Sequence, residues 1–360
     1  MSINTGFQRL KIVEVRRETT DAVSIRFEVP TALRDIFAFK AGQHLTLKAD
    51  IDGEDVRRTY SVCVAPSENE IRIAIKHMPG GRFSGWANTA IQTGQTIDVL
   101  PPMGRFVLPA GDGSAPHYVA ISGGSGITPV ISILKAVLQE KPKSHFTLLF
   151  GNRDTASIMF LEELAGLKNR YLDRLEVYHF LENESEDIEL FNGRLDRTKC
   201  DEALSSLIAV GTVDAFFICG PGPMMDAAEG ALLARGVSPD RIFIERFTSS
   251  ALSAEQIARN EALEQKAAGT TLLVILDGRR SKISFDATKG NILESVQAAG
   301  LPAPYACKGG VCTTCRAKVI SGSATMKKNY GLTEQEVAQG YVLTCQAVPT
   351  SDQVSLSYDA

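Results

Sequence analysis

The sequence predicts a multidomain chain: an antiparallel β-barrel or sandwich, then an α/β domain on a parallel sheet, then a smaller cysteine-rich domain. Three observations carry this. Apolar residues alternate with a period of two through the first hundred residues, strands alternate with helices from about residue 117, and four of the seven cysteines fall in the last 54 residues. At 360 residues the chain has room for two or three domains.

In the first part, Val23, Ile25, Phe27 and Val29 alternate with polar or small residues, as do Leu45, Leu47, Ala49 and Ile51, and then Ile71, Ile73 and Ile75. A period of two puts every second side chain on one face, as in a half-buried antiparallel strand. Ala41-Gly42, Asp52-Gly53 and Pro79-Gly80-Gly81 supply turns between these runs. Residues 1–111 therefore form one domain, with Asp112-Gly113-Ser114 as its exit.

Over 112–248 short apolar runs (Tyr118 to Ile121, Phe146 to Phe150, Ala215 to Cys219) alternate with helical segments. Val130, Ile133, Leu134, Val137 and Leu138 have the spacing of an amphipathic helix. Ser122-Gly123-Gly124-Ser125-Gly126-Ile127-Thr128-Pro129 joins the first run to that helix, the context of a pyrophosphate-binding loop. Glycines there let the backbone approach phosphate oxygens, and a helix N-terminus favours an anion. The loop departs from the dehydrogenase fingerprint, since Pro129 stands at the third glycine's place and no acidic ribose ligand follows.

Residues 249–268 read as an exposed, partly helical linker, rich in Ala and Glu and lacking aromatic residues from 250 on. The last domain, 269–360, opens with a hairpin turning at Asp277-Gly278. Its cysteines are spaced Cys307-x4-Cys312-x2-Cys315-x29-Cys345, which matches the plant-type 2Fe-2S pattern. Three thiolates on one loop and a fourth from a distant segment can converge on a cluster, and Gly309 and Gly310 let backbone N–H groups approach its sulfurs. Four cysteines could also hold zinc, but zinc ribbons use two CxxC pairs and this chain has one. Cys63 and Cys200 read as small core residues.

A net charge of −4 and a pI near 5.8 provide no global positive field for nucleic acid or an anionic membrane. The N-terminus lacks the apolar stretch of a signal peptide, no run of about 18 apolar residues occurs, and the cysteine count is odd, so a cytoplasmic protein without a disulfide framework is expected. Arg58-Thr59-Tyr60-Ser61, just after an alternating strand, and Gly80-Gly81-Arg82-Phe83-Ser84, just before a short helix, are weak signals alone. Each could be a surface arginine, a half-buried tyrosine or an ordinary turn.

Taken in order, these motifs resemble the ferredoxin-NADP reductase superfamily, which pairs an Arg-x-Tyr-Ser flavin barrel with a Gly-x-Gly-x-x-Pro nicotinamide domain; Cys219-Gly220-Pro221 and Glu245-Arg246-Phe247 extend the match over 1–248. Residues 269–360 resemble a plant-type ferredoxin, which implies an α+β (β-grasp) fold. The resemblance implies that Arg58 binds the flavin phosphates, Tyr60 packs on the isoalloxazine and Ser61 hydrogen-bonds near its N5. It implies that Gly81, Arg82 and Ser84 cradle the FAD pyrophosphate, that Gly124, Gly126, Thr128, Gly220 and Pro221 bind the nicotinamide nucleotide, that Cys219 and Glu245 line the nicotinamide site, and that Phe247 shields the flavin. Ser61, Cys219 and Glu245 are thereby the catalytic candidates.

The domain order is similar to that of reductase components of multicomponent oxygenases, the phenylacetyl-CoA epoxygenase and steroid 9α-hydroxylase reductases among them. The segments Phe39-Lys40-Ala41-Gly42-Gln43-His44-Leu45, Gly151-Asn152-Arg153 and Pro304-Tyr305-Ala306-Cys307 carry that similarity. It implies electron flow from NADPH, or NADH, through FAD and the 2Fe-2S cluster to a di-iron oxygenase on other chains. The alternatives are delivery to a steroid 9α-hydroxylase or Rieske-type oxygenase, and a redox-sensing module. Arg153, just past the second apolar run, could meet an adenosine 2′-phosphate and so favour NADPH, or be a solvated loop residue. Residues 269–360 carry nine Lys/Arg against seven Asp/Glu, and Lys308, Arg316, Lys327 and Lys328 near the cysteines suggest a mildly basic docking face.

Overall fold

The structure, a computed structural model, describes residues 6–109, 115–247 and 254–360; the expected exit turn at 112–114 and the expected boundaries at 111/112 and 248/249 lie wholly or partly outside them. The chain divides into two units, Met1–Glu245 and Arg246–Ala360.

The first unit begins with β1 (Gln8–Thr19), β2 (Ala22–Glu28), β3 (His44–Ile51), β4 (Glu54–Ser61), β5 (Ile71–Lys76), helix α1 (Arg82–Thr89) and β6 (Thr96–Val99). The strands form an antiparallel sheet in the order β4-β3-β6-β1-β2-β5, and a bridge between Val62 and Ile73 links its two edges. The alternating residues Val23, Ile25, Leu45, Leu47, Ile73 and Ile75 fill its core with Leu10, Phe37 and Phe83. Asp52 and Gly53 both take positive φ in the two-residue turn between β3 and β4, which suits a tight hairpin.

The same unit continues with β7 (His117–Gly123), α2 (Ile127–Glu140), β8 (His145–Asn152), α3 (Leu161–Arg170), β9 (Leu175–Leu181), α4 (Arg197–Leu207), β10 (Ala215–Cys219), α5 (Gly222–Ala234) and β11 (Ile242–Glu245). All strands of this sheet are parallel, in the order β11-β10-β7-β8-β9. The chain reverses its direction of winding between β7 and β10. Such a switch point leaves a crevice at the carboxyl ends of the two strands.

Helix α2 is amphipathic in sequence, yet its polar side chains Thr128, Ser132 and Lys135 are also buried. One face packs on the sheet and the other meets the barrel. The Ser132 hydroxyl donates to the Val64 carbonyl (2.6 Å) and accepts from the Gly42 N–H (3.2 Å), while Lys135 Nζ lies 3.2 Å from Glu68 and also pairs with Glu163.

In the second unit, α6 (Ala254–Lys266) covers most of the expected linker. It has no buried residue of its own, but Leu263 packs against the unit's core. There follow β12 (Thr271–Leu276), β13 (Arg279–Ser284), α7 (Ile292–Ala298), β14 (Arg316–Ser321), β15 (Ala324–Met326), α8 (Glu334–Ala338), β16 (Tyr341–Leu343), β17 (Ala347–Pro349) and β18 (Gln353–Ser357). The mixed sheet runs β13-β12-β18-β14-β16, with β15 and β17 as a separate pair. The expected hairpin turns at Asp277 and Gly278, both at positive φ. Leu293 and Val296 of α7 pack into the same core as Leu272, Val354 and Leu356 of the sheet. Among the described residues no helix is long and apolar enough to cross a membrane.

Candidate functional site

On the barrel, Arg58, Tyr60 and Ser61 lie within β4, the strand that directly follows β3, opposite Leu47, Leu45 and His44. Polar Arg57, Arg58 and Thr59 interrupt the apolar alternation and hide this strand from a pattern reading. Arg58 is exposed and donates to the Arg57 carbonyl at 2.7 Å. Tyr60 places its ring 5.5 Å from that of Phe83, and burial raises the pKa of its hydroxyl.

Ser61 is buried, and among the described residues its hydroxyl has no partner. Directly opposite, His44 has an unpartnered Nε2 and sets Nδ1 3.5 Å from Glu245 Oε1 at the end of β11; Glu245 Oε2 also lacks a partner. An unpaired buried polar group costs about 1–3 kcal/mol. Three such atoms, on a barrel strand pair and the adjoining sheet end, suit a bound polar ring that would supply the missing partners. His44 was absent from the sequence-predicted residues; its register opposite Ser61 is the signal that finds it.

Gly81 caps α1, and a Cβ on it would fall 2.5 Å from Ser84 Oγ. That hydroxyl accepts from the Met78 N–H and donates to the Gly81 carbonyl, both at 3.1 Å, so Ser84 holds the turn together. Arg82 pairs with Glu54 and donates to the Ile51 carbonyl at 2.8 Å, latching α1 to the β3–β4 hairpin.

The two glycine loops of the parallel sheet meet at its switch point. Ser122 and Cys219 are register partners, and the Ser122 hydroxyl donates to the Cys219 carbonyl at 3.2 Å. A Cβ on Gly126 would lie 2.0 Å from that same carbonyl oxygen, and one on Gly220 would lie 2.7 Å from Met224 Cε and 2.9 Å from Gly123 N. Gly124 sits at φ +51° with open space beside it. Thr128 donates to the Ser125 carbonyl at 3.1 Å, and Pro221 caps α5. The crevice is therefore walled by closely approaching backbone, with open space beside Gly124.

Cys219 is fully buried, and burial followed by the Glu245 carboxylate holds its thiol well above the ordinary range, hence neutral. Arg153 follows β8; its side chain is 57% exposed and donates to Asp21 at 3.0 Å. Phe247 lies two residues past β11, in the second unit.

In the second unit, the N–H groups of Gly309 and Cys312 point at Cys307 Sγ (3.4 and 3.3 Å), and the Cys307 N–H points at Cys312 Sγ (3.4 Å). The Cys312 thiol, then the backbone N–H groups of Cys312 and Gly309, lower the Cys307 pKa, and the Cys315 thiol lowers that of Cys345. The four cysteines thus face one another as two pairs, 307 with 312 and 315 with 345. Among the described residues no three His, Cys, Asp or Glu side chains gather round one metal position. Two thiol pairs suit the two irons of a 2Fe-2S cluster.

The expected docking face is corrected at Lys327. Its ammonium is bonded to Glu264 of α6 (2.6 Å) and to the Gly290 carbonyl (2.7 Å), with the side chain only 15% exposed, so it serves the fold of its own unit. Lys308 and Arg316 likewise pair with Glu294 and Glu336.

A flavin-type barrel, a parallel nucleotide-binding sheet and a two-iron cysteine site, in that order, define an NAD(P)H oxidoreductase that hands electrons on one at a time. Residues 9–108 match the oxidoreductase FAD-binding domain family, 120–230 the oxidoreductase NAD-binding domain family and 274–350 the 2Fe-2S iron-sulfur cluster binding domain family. The chain is 42% identical to a subunit of the 1,2-phenylacetyl-CoA epoxidase of Escherichia coli (strain K12), over 99% of both chains. It is 34% identical to the ferredoxin reductase component of 3-ketosteroid-9-alpha-monooxygenase of Rhodococcus rhodochrous, over 97% of this chain and 96% of the other. Among solved structures it shares its fold with phthalate dioxygenase reductase (TM-score 0.60, 22% identity, 98% of both chains) and with an intact type IV self-sufficient cytochrome P450 monooxygenase (TM-score 0.71, 22% identity, 97% of this chain and 41% of the other). The chain belongs to the family of ferredoxin-NADP reductase-type reductase components of oxygenases, and its cofactors are FAD, NAD(P)H and a 2Fe-2S cluster.

Proposed function

We propose that this reductase delivers electrons from NADPH to a di-iron oxygenase that epoxidises the ring of phenylacetyl-CoA, in the cytoplasm. The 42% identity with an epoxidase subunit along the whole chain is the observation that carries the reading. Delivery to a steroid 9α-hydroxylase is the second reading, supported by 34% identity over 97% of the chain. A redox-sensing role is disfavoured by the nicotinamide domain, because a sensor needs no hydride donor.

When bound, FAD accepts two electrons as hydride and releases them singly, which the step from nicotinamide to an iron-sulfur cluster requires. Arg58 binds the FAD phosphates through its exposed guanidinium, while Gly81, Arg82 and Ser84 shape the turn and helix start that hold the pyrophosphate. Tyr60 packs on the flavin ring, and the unpartnered Ser61 hydroxyl bonds its polar edge. Gly124, Gly126, Thr128, Gly220 and Pro221 line the nucleotide crevice, the neutral Cys219 thiol and Glu245 position the nicotinamide, and Phe247 covers the flavin. Arg153 selects the 2′-phosphate. Cys307, Cys312, Cys315 and Cys345 hold the cluster. The domains span 1–111, 112–248 and 269–360, with 249–268 as their linker.

Reconstitution decides between the readings: purified protein, NADPH or NADH, and oxygenase components of the phenylacetyl-CoA, steroid and Rieske types, scored by oxygenated product. Product only with the phenylacetyl-CoA oxygenase is expected. Turnover with another type and none with this one would replace the proposal.

A further inference from the structure

Gln346 follows Cys345 and is only partly exposed. Its Nε2 donates to the Lys308 carbonyl at 2.9 Å, which fixes the orientation of the amide, and the same nitrogen lies 3.9 Å from Cys345 Sγ. Its stem crosses Gly310, where a Cβ would fall 2.9 Å from Gln346 Cγ, and Gly310 is at φ +75°. Its backbone carbonyl accepts the Lys327 N–H at 2.9 Å.

The residue that Gln346 grips is a strained one. Lys308 sits at φ +52°, a left-handed conformation uncommon outside glycine, and it is held from several sides: its carbonyl by Gln346, its ammonium by Glu294 (2.7 Å) and by the Tyr305 ring (4.5 Å). The loop carrying Cys307 and Cys312 and the segment carrying Cys345 are far apart in sequence. Among the described side chains, that of Gln346 bridges them through the Lys308 carbonyl.

We propose that Gln346 is a positioning residue that clamps the cysteine loop to the segment bearing the remote ligand and, through its N–H toward Cys345 sulfur, raises the reduction potential of the cluster. Hydrogen bonds to ligand sulfurs stabilise the more negative, reduced cluster and so favour electron uptake from the flavin side. This rests on Cys307, Cys312, Cys315 and Cys345 being the cluster ligands.

The test uses the full-length holoprotein and two variants. Gln346→Met keeps the length of the side chain and removes the N–H donor, whereas Gln346→Lys keeps a donor. Redox titration followed by the EPR signal of the reduced cluster, and the rate of iron release to a chelator, are the readouts. A more negative midpoint and several-fold faster iron release in the Met variant, with the Lys variant nearer wild type, are expected. An unchanged midpoint and unchanged release in the Met variant would overturn the clamp. If the Met variant holds no cluster, recovery of the cluster in the Lys variant supports the proposal, and loss in both overturns it. A wild-type protein without a 2Fe-2S spectrum, or a Cys345→Ser protein that keeps one, would fault the ligand assignment and not the clamp.

Discussion

Arg58 is exposed, and among the described residues its guanidinium donates to the Arg57 carbonyl and pairs with no carboxylate, which suits it to meet an anion. Charge-assisted hydrogen bonds of this kind contribute on the order of 1.5–3 kcal/mol. Arg58→Ala is expected to purify flavin-poor, with FAD affinity lowered by about one to two orders of magnitude; equilibrium titration with FAD checks it. Gly126 is constrained differently. A Cβ there meets the Cys219 carbonyl at 2.0 Å, and a backbone atom cannot swing aside as a side chain does. Gly126→Ala should force the β7 and β10 loops apart, destabilise the protein by about 1–3 kcal/mol and raise the KM for NADPH. An unchanged unfolding midpoint together with an unchanged KM would show that the loops are not interlocked.

At the scale of elements, α2 joins the two halves of the first unit. Lys135 is 4% exposed and holds Glu68 beside the barrel and Glu163 of α3. Removing it leaves two partly exposed carboxylates without their shared cation, so Lys135→Met should lower the unfolding free energy by about 1–3 kcal/mol, as denaturant titration would report. The parallel sheet also carries a pH dependence. Burial lowers the pKa values of His117 at the start of β7 and His179 on β9. A histidine whose folded pKa lies below its unfolded value of about 6.5 takes up its proton more readily when unfolded, so stability falls as pH drops below about 6.5. Replacing either with Gln should flatten the pH dependence of the unfolding midpoint between about pH 6.5 and 5; an unaltered slope in both variants would refute the assignment. The sequence marked α2 as a helix by its apolar spacing, but it could not show that the polar face is buried as well, because that face is covered by a barrel segment some 70 residues away.

The whole molecule consists of two units with separate hydrophobic cores, so the cluster and the flavin site can be disabled one at a time. Cys345→Ser is expected to lose the cluster while retaining FAD and its reduction by NADPH. Iron and sulfide analysis together with anaerobic bleaching of the flavin checks this. Loss of flavin reduction in that variant would mean that the two units do not fold independently.

The order of the domains was legible in the sequence, because alternating apolar runs, a glycine-rich strand-to-helix loop and thiols at fixed spacing are local signals, whereas the roles expected of Arg58 and Tyr60 came from the resemblance to a known family. The paired strands β3, β5 and β10, the hairpin at Asp277-Gly278 and helix α2 were legible for a similar reason, since periodicity and turn residues are local. Strand β4 was not, because its polar residues break the alternation. Long-range packing sets His44 opposite Ser61 and beside Glu245, binds Lys327 to Glu264 rather than offering it to a partner, and brings Gln346 back to Lys308. Each of these contacts joins residues 17 to 201 positions apart in the chain. Their geometry follows from how sheets and helices pack, which no local spacing in the sequence encodes.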